Sequence, residues 1–231
     1  MANADDLNNA DNIEYTKYKA VFFDFDYTLA DSSNGVCQSM AHGFKNMGYD
    51  IPPHEEMCKT IGLPLTEMFR IFTQNTDTGS YEIFASFFVE KAEEVMNDNT
   101  VLFDDVPDTI GFLCGKGIKC GVVSTKFRTR INEVLERDGL ADKFDIVVGG
   151  EDVAALKPDP EGLLKAIGEF GLNKDECLYV GDSVTDAKTA QNAGVDFIAV
   201  LSGKTTREQL MPYPNIHMIQ ELSGLCKFIL P

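Results

Sequence analysis

The chain of 231 residues is short of basic side chains: 20 Lys and Arg face 37 Asp and Glu, a formal charge of -17. Such a surface repels nucleic acid and anionic lipid unless a basic patch intervenes. The densest basic stretch, Lys126 to Arg130, falls inside one helical pattern and makes no patch. Long apolar runs are missing as well. The longest, Phe197 to Leu201, is far below the ~18 residues that cross a bilayer. Met1 to Asn12 lacks the basic start and apolar middle of a secretion signal. The expectation is a frayed tail over residues 1–18, a cytoplasmic protein and reduced thiols. Cys37, Cys58, Cys114, Cys120, Cys177 and Cys226 include no C-x-x-C pair, so they read as small buried hydrophobes. Histidine is scarce, and His42, His54 and His217 are far apart, which disfavours zinc. Repeats and low-complexity linkers are absent from the sequence.

What is present is an ordinary globular composition, 44% hydrophobic and 25% charged. The length suits one or two domains. Five short apolar runs read as strands: 20–23, 118–123, 144–148, 178–180 and 197–200. Helical patterns fall at 107–114, 128–137, 160–170, 185–193 and 222–229. Continuous apolar runs alternating with helices indicate a parallel sheet buried on both faces. The fold class is α/β, a Rossmann-like three-layer core. Residues 33–99 break the alternation with helical patterns at 36–47, 65–72 and 81–96 and no strand. A connection in a βα unit is far shorter. The economical division is a core of 19–32 and 100–231 with an inserted helical cap domain, 33–99, acting as a lid.

Chemistry-bearing residues collect at strand ends. Asp24 and Asp26 follow the first apolar run, and a side-chain period of two starts both on one face. In open α/β sheets ligands bind beyond the carboxyl ends of the strands. Ser124 and Thr125 end a second run, where hydroxyls cap a helix or grip an anion. Lys157 lies between Ala154-Ala155-Leu156 and Pro158-Asp159-Pro160, a rigid frame that can hold an ammonium over a site. Gly181 and Asp182 end a further run, and Asp186 lies in the helix that follows. Each acid singly also reads as a helix or turn cap. Together, four strand ends bring clustered carboxylates, hydroxyls and a lysine to one edge. Hard carboxylates suit Mg²⁺.

This constellation resembles the haloacid dehalogenase-like hydrolase superfamily over roughly Lys19 to Leu201. Asp24-Phe25-Asp26-Tyr27-Thr28 looks like its first motif, Ser124 its second, Lys157 its third, and Gly181-Asp182 with Asp186 its fourth. The layout is most similar to the phosphoglycolate phosphatase-like branch with an α-helical cap. The resemblance implies Asp24 as nucleophile and Asp26 as acid and base. It implies Ser124 and Thr125 on the phosphoryl oxygens and Lys157 balancing charge between Asp24 and the phosphate. Mg²⁺ would be held by Asp24, the Asp26 carbonyl and Asp182, with Asp186 on the metal or its waters. Tyr27 departs from the family pattern, which often has Gly there.

The implied activity is a Mg²⁺-dependent phosphatase acting on a small phosphorylated metabolite, with 2-phosphoglycolate as the first candidate. A pyrophosphatase or a sugar-phosphate mutase of the same superfamily is the alternative. A binding protein that kept the fold without the chemistry is argued against by intact Asp24, Asp26, Lys157 and Asp182. No nucleic acid, membrane or protein partner is expected. In the cap, the loop Ile61 to Leu65 is expected to face the site, with Arg70 nearby to meet a substrate anion.

Overall fold

The run Ala20–Phe23 has no polar face, so it must be covered on both sides. In the structure, a computed structural model that describes residues 17–229, it is strand β1, fully buried. Chain order continues with β2 (Ala30–Asp31), α1 (Ser33–Asn46), α2 (His54–Cys58), α3 (Leu65–Thr73), α4 (Thr78–Val95) and β3 (Val101–Leu102). There follow α5 (Val106–Gly115), β4 (Lys119–Val123), α6 (Arg128–Arg137), β5 (Ile146–Val148) and α7 (Glu161–Phe170). The chain closes with β6 (Cys177–Gly181), α8 (Val184–Ala193), β7 (Asp196–Val200), α9 (Arg207–Leu210), β8 (His217–Ile219) and α10 (Gly224–Ile229).

Six strands form one parallel sheet in the order β5-β4-β1-β6-β7-β8. Alternation along β1 separates the two apolar layers. Val21 and Phe23 pack with Ile110, Ile131 and Leu225 of α5, α6 and α10. Phe22 packs on the other face with Leu163 and Ile167 of α7 and Ala187 and Ala190 of α8. Gly121 makes room for this: a Cβ there would lie 2.7 Å from the Phe22 ring. The α/β, three-layer expectation holds.

Helices α1 to α4 have an apolar cluster of their own, centred on Met40, Phe44, Phe69 and Phe84. The Phe44 and Phe84 ring centroids are 4.9 Å apart. Gly43 permits the approach of α1 and α4, since a Cβ there would lie 2.7 Å from Phe84. The chain leaves and re-enters the sheet domain through a two-residue antiparallel ladder, with Ala30 opposite Leu102 and Asp31 opposite Val101.

Several expectations change. Of the tail expected over 1–18, residues 1–16 lie outside the described residues, but Tyr18 is buried and its hydroxyl donates to Asp196 (2.8 Å). Lys126 does not fall inside a helix; α6 starts at Arg128 and the Lys126 side chain turns inward. Cys37 meets the pair His54 and Cys58, which follows it by 17 residues or more, between α1 and α2. Strand β8 and helix α2 were not visible in the apolar pattern. Among the described residues, no helix is long and apolar enough to cross a membrane.

Candidate active site

Asp24 extends the β1 ladder by one residue: its N–H donates to the Val180 carbonyl (2.9 Å). The strand then ends, and the chain turns through Phe25 to Tyr27. The two acids therefore part company. Asp24, Asp182 and Asp186 each place a carboxylate oxygen within 4.8 Å of the other two, and all three are buried. The Asp26 carboxylate is engaged elsewhere: Oδ1 accepts from Ser32 Oγ (2.5 Å) and Lys126 Nζ (2.9 Å).

Lys157 sits in the middle of the acidic group, with its side chain 5% exposed. Its Nζ is 2.8 Å from Asp24 Oδ1, a charge contact without hydrogen-bond alignment, and donates to Asp186 Oδ1 at 2.6 Å. It also donates to the Tyr179 hydroxyl (3.1 Å), which lies 3.0 Å from Asp186 Oδ1 and 3.1 Å from the Val123 carbonyl. The Lys157–Pro158 peptide is cis. Asp186 also serves the helix terminus. Its Oδ2 accepts from Ser183 N–H (3.1 Å) and Oγ (2.6 Å), while its own N–H donates to Ser183 Oγ (3.2 Å). The capping and clustered-carboxylate readings of Asp186 both hold, because its two oxygens face different partners.

The electrostatics follow from burial. Desolvation raises Asp24 to about 6; Lys157 opposes the rise and Asp186 adds to it. Asp182 is pushed well above the carboxylate range, first by burial and then by Asp186 and Asp24. Burial works against the Lys157 charge, but Asp186 and Asp24 outweigh it and hold its ammonium well above the usual lysine range. Three buried carboxylates against one ammonium leave an excess of negative charge, which a small divalent cation would neutralise. The donor set is all oxygen and packed, since a Cβ on Gly203 would lie 1.9 Å from Asp182. These residues fit Mg²⁺.

Ser124 is buried at the end of β4, its Oγ accepting from Lys126 N–H (3.3 Å). Thr125 Oγ1 donates to the Gly62 carbonyl in the loop between α2 and α3 at 3.2 Å, so this hydroxyl faces the space under that loop. A cavity of about 150 Å³ opens there, lined by Asp26, Thr125, Lys126, Leu63, Phe88 and Met96, with Ile61, Gly62, Leu65, Met68 and Ala92 also on its wall. Arg70 is not brought to the site. It lies on the outward face of α3, exposed and paired with Glu67 at 3.2 Å. Sequence reasoning missed Lys126, Ser32 and Tyr179. Only Lys126 had a usable signal, its place directly after the strand-end hydroxyls.

Comparison with known proteins fits this geometry. Residues 21–200 match the family of haloacid dehalogenase-like hydrolases. The chain is 29% identical over 206 residues to pyrophosphatase PpaX of Bacillus velezensis, spanning 89% of this chain and 94% of that one. It is 28% identical over 200 residues to a phosphoglycolate phosphatase of Photorhabdus laumondii, spanning 83% and 84%. A crystal structure described as a haloacid dehalogenase-like hydrolase, from Bacteroides fragilis, superposes with a TM-score of 0.88 at 43% identity, over 90% of this chain and 99% of that one.

Proposed function

We infer that this chain, which belongs to the haloacid dehalogenase-like hydrolase family, is a phosphatase that works through an aspartyl-phosphate on Asp24. The observation that supports this best is the separation of two aspartates two residues apart. Asp24 is packed with Asp182, Asp186 and Lys157, whereas Asp26 is held apart by Ser32 and Lys126. One environment suits a nucleophile and the other a proton carrier.

In the first half-reaction an Asp24 oxygen attacks phosphorus, the bond from phosphorus to the leaving oxygen breaks, and Asp26 delivers a proton to that oxygen. Both contacts to Asp26 fall on Oδ1, which leaves Oδ2 for this proton. In the second, water attacks the aspartyl-phosphate, gives a proton to Asp26 and releases phosphate from Asp24. Ser124 and Thr125 hold the phosphoryl oxygens, and Lys157 keeps positive charge beside Asp24. Mg²⁺ would be held by Asp24, the Asp26 carbonyl and Asp182, with Asp186 on the metal or its waters, and when bound it would supply charge that lets an anion approach a carboxylate.

The substrate reading is a small phosphate monoester. Leu63, Met68, Phe88, Ala92 and Met96 line the cavity beside Asp26 and suit the carbon body of a leaving alcohol. Lys126 and Arg130 on the same wall, together with the likeness to PpaX, favour pyrophosphate as the second reading. With Arg70 turned away, those two cations are also what a carboxylate such as that of 2-phosphoglycolate would meet.

The test is phosphate release across 2-phosphoglycolate, pyrophosphate, nucleotides and hexose phosphates, with Mg²⁺ and with chelator. Turnover that needs the metal and vanishes in a folded Asp24→Asn variant is the expected result. Parent-like turnover in that variant would remove Asp24 as nucleophile. Isomerisation of a hexose phosphate without net phosphate release would turn the reading to a mutase.

A further inference from the structure

The cap contains a second group of ligand-type side chains, chemically unlike the first. Cys37 comes from α1, while His54 and Cys58 stand four residues apart in α2, on one helix face. Cys37 Sγ and Cys58 Sγ are 3.6 Å apart, and Cys58 Sγ is 3.5 Å from His54 Nδ1. One donor atom from each residue lies within 4.8 Å of the others. Both thiols are buried and His54 is exposed, so the group has a shielded side and an entrance.

The sulfur–sulfur and Cys58–His54 separations match edges of a coordination shell. With metal–sulfur bonds of about 2.3 Å and metal–nitrogen bonds of about 2.0–2.1 Å, a tetrahedral ion sets sulfur–sulfur and sulfur–nitrogen edges of roughly 3.8 and 3.5 Å. We propose that Cys37, His54 and Cys58 form a binding site for a soft divalent cation of the zinc class, with the fourth position open to water beside His54. On binding, each thiol releases its proton to solvent as its sulfur–metal bond forms.

An independent observation comes from Tyr27. It is 4% exposed and lies in the left-handed region at φ 62°, yet its hydroxyl has no hydrogen bond of ordinary geometry among the described residues. That hydroxyl faces the Cys58 thiol and the Ser33 side chain. A neutral thiol is a weak acceptor, whereas a metal-bound thiolate is a strong one. Cation binding would therefore give the buried phenol a stronger acceptor than the neutral thiol. Tyr27 directly follows Asp26, so the site links α1 and α2 of the cap to the catalytic loop. Donor softness keeps the two sites distinct: carboxylates select Mg²⁺, thiolates and imidazole select zinc-like ions.

The probe is Co²⁺, titrated into the reduced, chelator-stripped full-length protein in excess Mg²⁺. Expected are one equivalent of binding, thiolate-to-cobalt absorption in the near ultraviolet, strong visible bands of a tetrahedral ion, and displacement of both by Zn²⁺. Cys37→Ser with Cys58→Ser should abolish the thiolate absorption. His54→Gln, an exposed change that leaves the core intact, should weaken binding about tenfold or more while keeping it. Zn²⁺ should raise the thermal midpoint of the parent more than that of His54→Gln. Absence of thiolate absorption in the parent, its persistence in the double serine variant, or unaltered affinity in His54→Gln would overturn the proposal.

Discussion

Lys126 Nζ donates to Asp26 Oδ1 at 2.9 Å across 100 residues of sequence, with both side chains less than one-tenth exposed. The contact and the Ser32 hydroxyl fix the carboxylate's orientation. Lys126→Met keeps the aliphatic stem but removes the donor. A hydrogen bond to a charged group contributes about 1.5–3 kcal/mol, so kcat should fall roughly 10- to 100-fold. Steady-state rates on one ester, with circular dichroism as the folding control, check this. A parent-like kcat would make Lys126 a bystander.

Lys157 is a different kind of cation. It is the ammonium among three buried carboxylates, and its contacts to Asp24 and Asp186 are 2.8 and 2.6 Å. Removing one partner of a buried ion pair costs about 3–5 kcal/mol because the other charge is left uncompensated. Lys157→Met should lose stability on that scale in urea denaturation with chelator present. Mg²⁺ should restore more stability to this variant than to the parent, since it discharges the same carboxylates. Equal gains in both proteins would show that the cation does not bind at these acids.

Much of this site was legible because its residues are punctuation in local patterns. Asp24, Ser124 and Asp182 each end an apolar run, and strand ends on one edge of a parallel sheet must converge. Lys157 was legible through its proline frame. What was hidden depends on which face a helix presents and on contacts between distant elements. Arg70 has the right chemistry, but α3 turns it outward toward Glu67. Tyr179 alternates with buried apolar neighbours in β6, so nothing in the pattern marks its hydroxyl as part of the Lys157–Asp186 network. Cys37 and the pair His54 and Cys58 belong to separate helices, and only the packing of α1 on α2 joins them. Strand β8 is three residues long with an exposed His217, too short to show a period. Tyr27 occupies a left-handed position, φ 62°. That explains why glycine is common there in the family pattern, since a side chain in that region costs about 1–2 kcal/mol.

The metal-free protein should carry a pH signature of Asp24. Burial is the main cause of its rise from 3.8 to about 6, with Lys157 opposing. Between those values the folded chain keeps a proton that the unfolded chain has lost. Stability therefore falls as pH rises through this window, by an amount on the order of 3 kcal/mol. Urea midpoints at pH 4 to 7 in chelator should show the decline. Asp24→Asn should reduce it, with Asp182 keeping a share because burial raises it too, saturating Mg²⁺ should flatten it, and a slope unchanged by both would place the titration elsewhere.

The cap should move as a unit about the ladder where Ala30 meets Leu102 and Asp31 meets Val101. Helices α1 to α4 keep their own apolar cluster, and the Thr125 hydroxyl reaches Gly62 across the gap at 3.2 Å. Substrate entry and control of water both call for such motion. Replacing residues 33–99 by a short linker should spare Asp24 chemistry on a small activated ester and erase discrimination among natural esters. A folded truncation that kept the parent's preferences would locate specificity in the core.

Ala92 provides the sharpest test of how the leaving group is chosen. It is buried on α4 and lines the cavity of about 150 Å³ with Leu63, Met68, Phe88 and Met96. Asp26 and Lys126 lie on the same wall, so a body bound there sits beside the proposed proton donor. Ala92→Phe adds a ring that fills this space without touching Asp24, Asp182, Asp186 or Lys157. If the cavity receives the carbon body of the alcohol, kcat/KM should fall about 10-fold or more for esters with several carbons, since an occupied pocket forfeits the transfer free energy of the excluded groups. Pyrophosphate and a one-carbon ester, which need little of the space, should keep their rates. Equal losses on every substrate would mean that the ring disturbs the cap rather than the pocket. Unchanged rates on bulky esters would mean that the alcohol leaves by another route.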